Sequence, residues 1–302
     1  KLIEESLSLD RFNFGCLWEK YLLTQSPEDL SEIKTLMRDE AHNYNETALD
    51  YAAAGLYKEA CELLQIATDL SSATPISYYY LGWCQTKIDK EHAKKTFEKA
   101  SEQSPDGCFP NRLEALLALR CALTVNPSDA HAAYYLGDLW YDKRQYVQAV
   151  NAWEQSAASD STFSIVWRNL ALAYFNKQNK KAKALECMEK AFQLDPTDAR
   201  ILMELDQLCK RMQHPHQKRL ERLQQYPVLV NTRDDLYLEV ITLLNQTGCY
   251  EEAIKMMDSR NFHPWEGGEG KVTAQYQISR VEQAKYLMKR RNFTNALTLL
   301  KE

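Results

Sequence analysis

Two stretches of this chain are near copies of each other, and that constrains its fold more than any other feature. One, YYLGDLWYDKRQYVQAVNAWEQSAASD, begins at Tyr134; the other, WRNLALAYFNKQNKKAKALECMEKAFQLDP, begins at Trp167. In both, apolar residues recur at three- and four-residue steps, as on the buried face of a helix, and Pro or Asp/Asn breaks the pattern at intervals. A small residue that lets a second helix close on a first falls at Ala60, Ala93, Ala115, Ala149, Ala184, Ala253 and Ala296, at spacings of 33, 22, 34, 35, 69 and 43. The spacing of 69 holds two repeats, with a degenerate one from Ala199 to Pro227 between them. A helix pair of this size cannot bury its apolar face alone, so copies must stack on one another.

The pattern is specific. Trp167, Leu170, Ala171, Tyr174, Ala184, Met188, Ala191 and Pro196 stand in the order W-x₂-L-G-x₂-Y, A-x₃-F, A, P, which resembles the tetratricopeptide repeat. Leu136, Gly137, Trp140, Ala149, Trp153 and Ser156 restate it. Tyr78, Leu81, Gly82, Ala93, Phe97, Ala100 and Pro105 follow it with one residue deleted, and Tyr44, Ala48, Tyr51, Tyr57, Ala60, Leu64 and Ala67 follow it more loosely. The resemblance implies an all-α fold, a right-handed α-α superhelix of about seven to eight helix pairs, some degenerate. It covers residues 41–302; residues 1–40 match no repeat, though Trp18, Tyr21 and Leu22 suggest a helix, and this segment is expected to end a larger upstream region.

Two spacings depart from the repeat and mark where function is expected. At 22, a second helix (Ala115, Leu119, Ala122) lacks a full first helix, whose place is taken by an irregular loop at 104–111. At 43, about nine extra residues around FHPWEGGEGK form an inserted loop at 261–271.

In tetratricopeptide proteins the first helices line a concave groove, and the resemblance places Tyr79, Trp83, His131, Tyr134, Asp138, Tyr141, Arg168, Asn176 and Arg200 among its ligand-facing positions, beside Lys87, Asp142, Phe175, Gln207, Lys210 and Arg211. Aromatic faces beside Arg, Asn and Asp suit an extended peptide or a sugar. Each tyrosine reads equally well as core filler between helices. The Lys and Asn clamp that holds a terminal carboxylate in chaperone-binding members is not reproduced, because Tyr134, Asp138 and Leu172 stand in its place.

The inserted loop concentrates three of the chain's nine glycines within four positions, Gly267, Gly268 and Gly270. It adds His263, Trp265, Glu266, Glu269 and Lys271, which supply stacking, charge and proton-transfer chemistry. One reading makes it a binding lid with Trp265 as platform and both glutamates as acceptors; the other tucks Trp265 between helix pairs. It is no phosphate loop, since GxxxxGK[ST] is absent and Val272 stands where Ser or Thr belongs.

Composition sets the outer bounds. Lys+Arg 37 against Asp+Glu 42 gives −5, which speaks against a nucleic-acid surface. No apolar run approaches the ~18 residues of a membrane span, and KLIEESLSLD is not laid out as a signal peptide. The eight cysteines are scattered, with no CxxC pair, and read as reduced core residues of a cytoplasmic protein. His214-Pro215-His216 lacks a third ligand, KQNKKAK (Lys177 to Lys183) reads as a solvated turn, and neither GxSxG nor HExxH occurs. No cofactor, metal or catalytic residue is expected.

CFPNRLEALLAL (Cys108 to Leu119), LDPTDARILMELDQL (Leu194 to Leu208) and FHPWEGGEGKV (Phe262 to Val272), together with the two copies above, are similar to the repeat regions of large bacterial tetratricopeptide proteins. In those, the repeats follow a β-rich domain with the look of a sugar enzyme. The expectation is therefore a non-catalytic scaffold whose groove holds a protein, a peptide or the upstream domain of its own chain. The alternative is an accessory domain of a carbohydrate-active enzyme, with the groove and the 262–271 loop contributing to saccharide binding. Self-association through an unfilled repeat end is a third expectation.

Overall fold

The structure, a computed structural model, describes residues 1–301. Among the described residues it contains nineteen α-helices and no strand. The helices group into two compact units, Lys1–Thr162 and the residues from Phe163 onward.

The first unit runs α1 (Leu2–Leu9), α2 (Phe14–Thr24), α3 (Pro27–Met37), α4 (Ala41–Ala53), α5 (Tyr57–Asp69), α6 (Pro75–Gln85), α7 (Lys90–Ser101), α8 (Leu113–Val125), α9 (Ala130–Asp142) and α10 (Tyr146–Ser159). The second runs α11 (Ser164–Asn176), α12 (Lys181–Leu194), α13 (Ala199–Arg211), α14 (His216–Gln224), α15 (Pro227–Thr232), α16 (Asp234–Thr247), α17 (Tyr250–Asp258), α18 (Lys271–Lys289) and α19 (Phe293–Lys301). Within each unit, consecutive helices pack as pairs (α4 on α5, α6 on α7, α9 on α10, α11 on α12, α18 on α19), and the second helix of a pair packs on the first helix of the next (α5 on α6, α12 on α13, α17 on α18). The fold is all-α, of the stacked helix-pair type.

Local chemistry sets the helix limits. Asp89, Asp129 and Asp198 cap α7, α9 and α13 by accepting backbone N–H groups, and Ser26 caps α3 ahead of Pro27 at its first position. Tight reversals between paired helices place Gly55, Arg144 and Asn179 in the left-handed region at φ 83°, 59° and 52°. All seven spacer alanines are buried at 2% exposure or less, so they sit at helix crossings as their spacing predicts.

Residues 1–40 belong to the first unit. Trp18 is buried at 1% exposure against Tyr21, with ring centroids 5.0 Å apart, and the Tyr51 hydroxyl of α4 donates to Glu19 Oε1 at 2.8 Å. The α2–α3 hairpin thus continues the stack without the repeat's sequence pattern. Between α7 and α8, residues 102–112 are non-helical. α8 then packs on both α6 and α9, in the layer that a second helix would fill.

In the second unit the degenerate repeat is held by charge. Arg219, 4% exposed, donates to Asp206 at 3.0 and 2.6 Å and to Glu239 at 2.6 Å, and Lys210 donates to Glu239 at 2.8 Å. Burial pushes the Asp206 carboxyl up, with Arg219 opposing; Glu239, despite burial, is held below its ordinary range by Lys210 and Arg219. Four side chains thereby tie α13, α14 and α16 together where the apolar consensus has lapsed.

Candidate functional site

The inserted loop makes a site from its own residues. Phe262, Pro264, Trp265 and Val272 line a hollow of about 530 Å³, with His263, Glu266, Gly268, Glu269 and Gly270 completing its wall. This lies within the ~300–1,000 Å³ range of ligand pockets. Its entry is fixed by Asp234, the first residue of α16, which accepts His263 N at 2.7 Å, His263 Nδ1 at 3.1 Å and Arg260 Nε at 2.6 Å. Burial would raise the Asp234 carboxyl, but these donors hold it below its ordinary range. Arg260 also lies 4.6 Å over the Tyr237 ring, and Phe262 meets the same ring edge-on at 6.0 Å.

Beyond that anchor the loop coils into turns. Gly268 N donates to Trp265 O, and Lys271 N to Gly268 O, both at 3.0 Å. Gly267 and Gly270 take φ of 75° and 71°, which only glycine adopts without strain. Gly268 is glycine for a different reason: a Cβ there would fall 2.4 Å from Trp265 Cε2, so the indole lies flat against its backbone. Trp265 is thus half-buried on the loop's own chain, with the rest of the ring facing the hollow. Glu266 and Glu269 are exposed on the wall; Lys271 is exposed, opens α18 and does not line the hollow.

The predicted first-helix positions divide. Tyr79 is fully buried, its hydroxyl donating to Asp129 at 3.1 and 3.2 Å, and it does core work. Burial drives this hydroxyl far above its ordinary range and also raises the Asp129 carboxyl, against the bonds from Ala132 and Tyr79. Trp83 is 9% exposed and edge-on to Tyr57 at 6.3 Å; Tyr134 is 4% exposed and lies 5.1 Å from Tyr135. Asp138 accepts Trp153 Nε1 at 3.0 Å, Tyr141 sits between Tyr146 and Trp153, and His131 lies 6.4 Å from Tyr135. His131, Asp138 and Tyr141 keep part of their surface in solvent.

In the second unit, Arg168 is paired with Glu204, which also accepts Arg200 Nε at 3.2 Å, while Arg200 and Asn176 are exposed. Sequence reasoning missed Glu204, and it also missed a smaller hollow in the first unit beside residues 107–112. The spacing of 22 pointed at that loop but not at the α4 and α6 residues facing it.

No disulfide joins any of the eight cysteines; Cys84, Cys108, Cys187 and Cys209 are buried and Cys249 is exposed. Among the described residues, no group of three or more His, Cys, Asp and Glu is placed to hold a metal, and no helix is long and apolar enough to cross a membrane.

Three tetratricopeptide repeat family models match residues 77–107, 111–165 and 164–198. Among solved structures, the pilF protein of Pseudomonas aeruginosa is 18% identical over 72% of this chain and 89% of its own, at a TM-score of 0.40. MamA of Desulfovibrio magneticus RS-1 is 22% identical over 66% of this chain and 99% of its own, at 0.36. YrrB, described as a TPR protein with an unusual peptide-binding site, is 18% identical over 67% of this chain and 96% of its own, at 0.31. The matched residues are those that carry the repeated Leu-Gly/Ala and Ala positions, and residues 77–198 are tetratricopeptide repeats, a repeat whose proteins are in general protein-interaction scaffolds.

Proposed function

We propose that this chain is a non-catalytic scaffold that holds a protein or peptide partner on the first helices of its pairs, and that the 262–272 hollow anchors an apolar side chain of that partner. The observation that carries this reading is the hollow itself. Its phenyl, proline, indole and valine surfaces are held open by a loop already folded, with Asp234 fixing one end and glycine turns the other. A preformed apolar concavity loses little entropy when filled, so it favours binding over exposure. Taken unit by unit, His131, Asp138 and Tyr141 of the first and Arg168, Asn176 and Arg200 of the second carry polar and charged groups suited to a bound peptide.

A second reading is favoured by one feature: an indole face beside Glu266 and Glu269 also suits a saccharide ring, which would make the chain an accessory to carbohydrate chemistry.

The test is a thermal-shift screen of the chain and its Trp265→Ala variant against short peptides bearing Leu or Phe and against oligosaccharides. A ligand present at ~100 times its dissociation constant stabilises the native state by about 2.7 kcal/mol, enough to read. Peptide-dependent stabilisation that shrinks in the variant is expected. Stabilisation by saccharide alone, lost in the variant, would replace the scaffold reading with the second one.

A further inference from the structure

Where a first helix is missing, the structure leaves a hollow of about 180 Å³ between the N-terminal halves of α4 and α6 and the 107–112 segment. That is below the ~300–1,000 Å³ of a whole-ligand site and suits a single side chain. On its lining is Asn45, 3% exposed, whose Nδ2 donates to Ser77 Oγ at 2.8 Å while its Oδ1 accepts no hydrogen bond. That oxygen is sealed from the hollow, whereas a buried hydroxyl on the lining that lacks a partner calls for one. Tyr80, 4% exposed, lines the same hollow, and its hydroxyl has no hydrogen-bond partner among the described residues. Apolar surface comes from Ile76 and from Phe109, a residue 75% exposed.

The charges around it are unequal. Arg112 is divided between two carboxylates: it pairs with Glu46 through Nη1, and with Glu114 through Nε and Nη2 at 3.2 Å each. His42 Nε2 is 3.6 Å from Glu46, and Glu40 stands on the same wall. Glu40, Glu46 and Glu114 therefore face one guanidinium and one imidazole, and the guanidinium is already engaged.

We propose that this hollow binds the side chain of a lysine from a partner protein. The ammonium donates to the Tyr80 hydroxyl in the field of the surplus carboxylates, and the methylene stem lies along Ile76 and Phe109. Arginine fits less well, because its planar fork seeks a bidentate carboxylate and Glu46 and Glu114 are already engaged by Arg112, whereas a single hydroxyl suits a compact ammonium. The inference rests on the reading of the chain as a protein-binding scaffold, but places contact in a different unit from the 262–272 loop, so the two can fail separately.

The test is an NMR titration of the full chain with acetyl-Ala-Lys-Ala-amide and with its norleucine, Nε-acetyllysine, arginine and glutamate counterparts. Saturable shifts are expected at the Asn45 side-chain amide and the backbone of 107–112 with the lysine peptide, weakening as salt rises, with binding about tenfold weaker for each counterpart. Phe109→Ala, which alters only an exposed ring, should weaken lysine binding several-fold, and Glu46→Gln about tenfold. Equal binding of norleucine would reduce the site to an apolar dent, and equal binding of arginine would overturn the assignment to an ammonium. Preference for glutamate would make Arg112 the reading group, and shifts absent or confined elsewhere would remove the site; each of these sinks the proposal.

Discussion

Gly82 stands on α6 where an added Cβ would fall 2.5 Å from Phe97 Cε1, and Gly137 on α9 where it would fall 2.3 Å from Trp153 Cδ1. The corresponding positions of the next pair hold Ala171 and Met188, both buried. Glycine is thus matched to an aromatic ring and alanine to a flexible thioether, one size set against the other. Gly82→Ala gains up to about 1 kcal/mol in helix propensity but forces a packed ring to move, a cost of about 1–3 kcal/mol. The net expectation is a loss of about 1–2 kcal/mol by denaturant unfolding. Combined with Phe97→Met, the loss should be smaller than the sum of the single costs by at least about 0.5 kcal/mol; strict additivity would show that the glycine is not there for the ring.

Helix termini carry the next set of effects. Asp129 caps α9 through Ala132 N at 2.8 Å while receiving Tyr79, and burial raises its carboxyl above 3.8. A raised acid keeps its proton longer in the folded chain, so the stability present below pH 3.8 is lost as pH climbs through the folded value. Asp129→Asn keeps a good cap and an acceptor for Tyr79 but removes this titration. The variant should therefore gain on the parent as pH rises from about 3.5 to 6.5, read as a difference in melting temperature; a difference constant across that range would contradict the assignment. At the other loop, Asp234→Ala removes the acceptor of His263 and Arg260. Local opening of 260–270 should rise, and with it tryptic cleavage after Arg260 and Lys271, while the melting temperature hardly changes. Cleavage unchanged from the parent would mean that the glycine turns alone hold the loop.

The helix pairs were legible because their period is written in small and large residues that every crossing needs. The α2–α3 hairpin was not, since it packs through Trp18, Tyr21 and a hydroxyl bond from Tyr51 instead of the repeat's own spacing. Repeat phase placed Tyr79 on the ligand-facing side of its helix, and it lies in the core because the carboxylate it serves, Asp129, comes from an element fifty residues away. Trp265 could not be resolved from sequence because its support, Gly268, acts by lacking a side chain.

At the scale of the whole chain, stability should follow the two units. Repeat arrays behave as sums of local stabilities and neighbour contacts, so unfolding need not be a single event. Four tryptophans, at 18, 83, 140 and 153, lie in the first unit; the other two, at 167 and 265, lie in the second. Leu205→Ala removes a core side chain 2% exposed in the second unit and should cost about 2–5 kcal/mol there. The urea transition read by far-UV signal should broaden to lower concentration, while fluorescence of a variant keeping only the first-unit tryptophans moves little. Equal shifts in both signals would show one cooperative body. The matched sizes of Gly82 with Phe97, Gly137 with Trp153 and Ala171 with Met188 also bear on ancestry. A crossover in the turn between two such helices would set an alanine under an indole or leave a glycine facing a thioether with space to spare. Breakpoints that carry both helices of such a pair together keep the sizes matched, so exchange among these three repeats should run by whole hairpins.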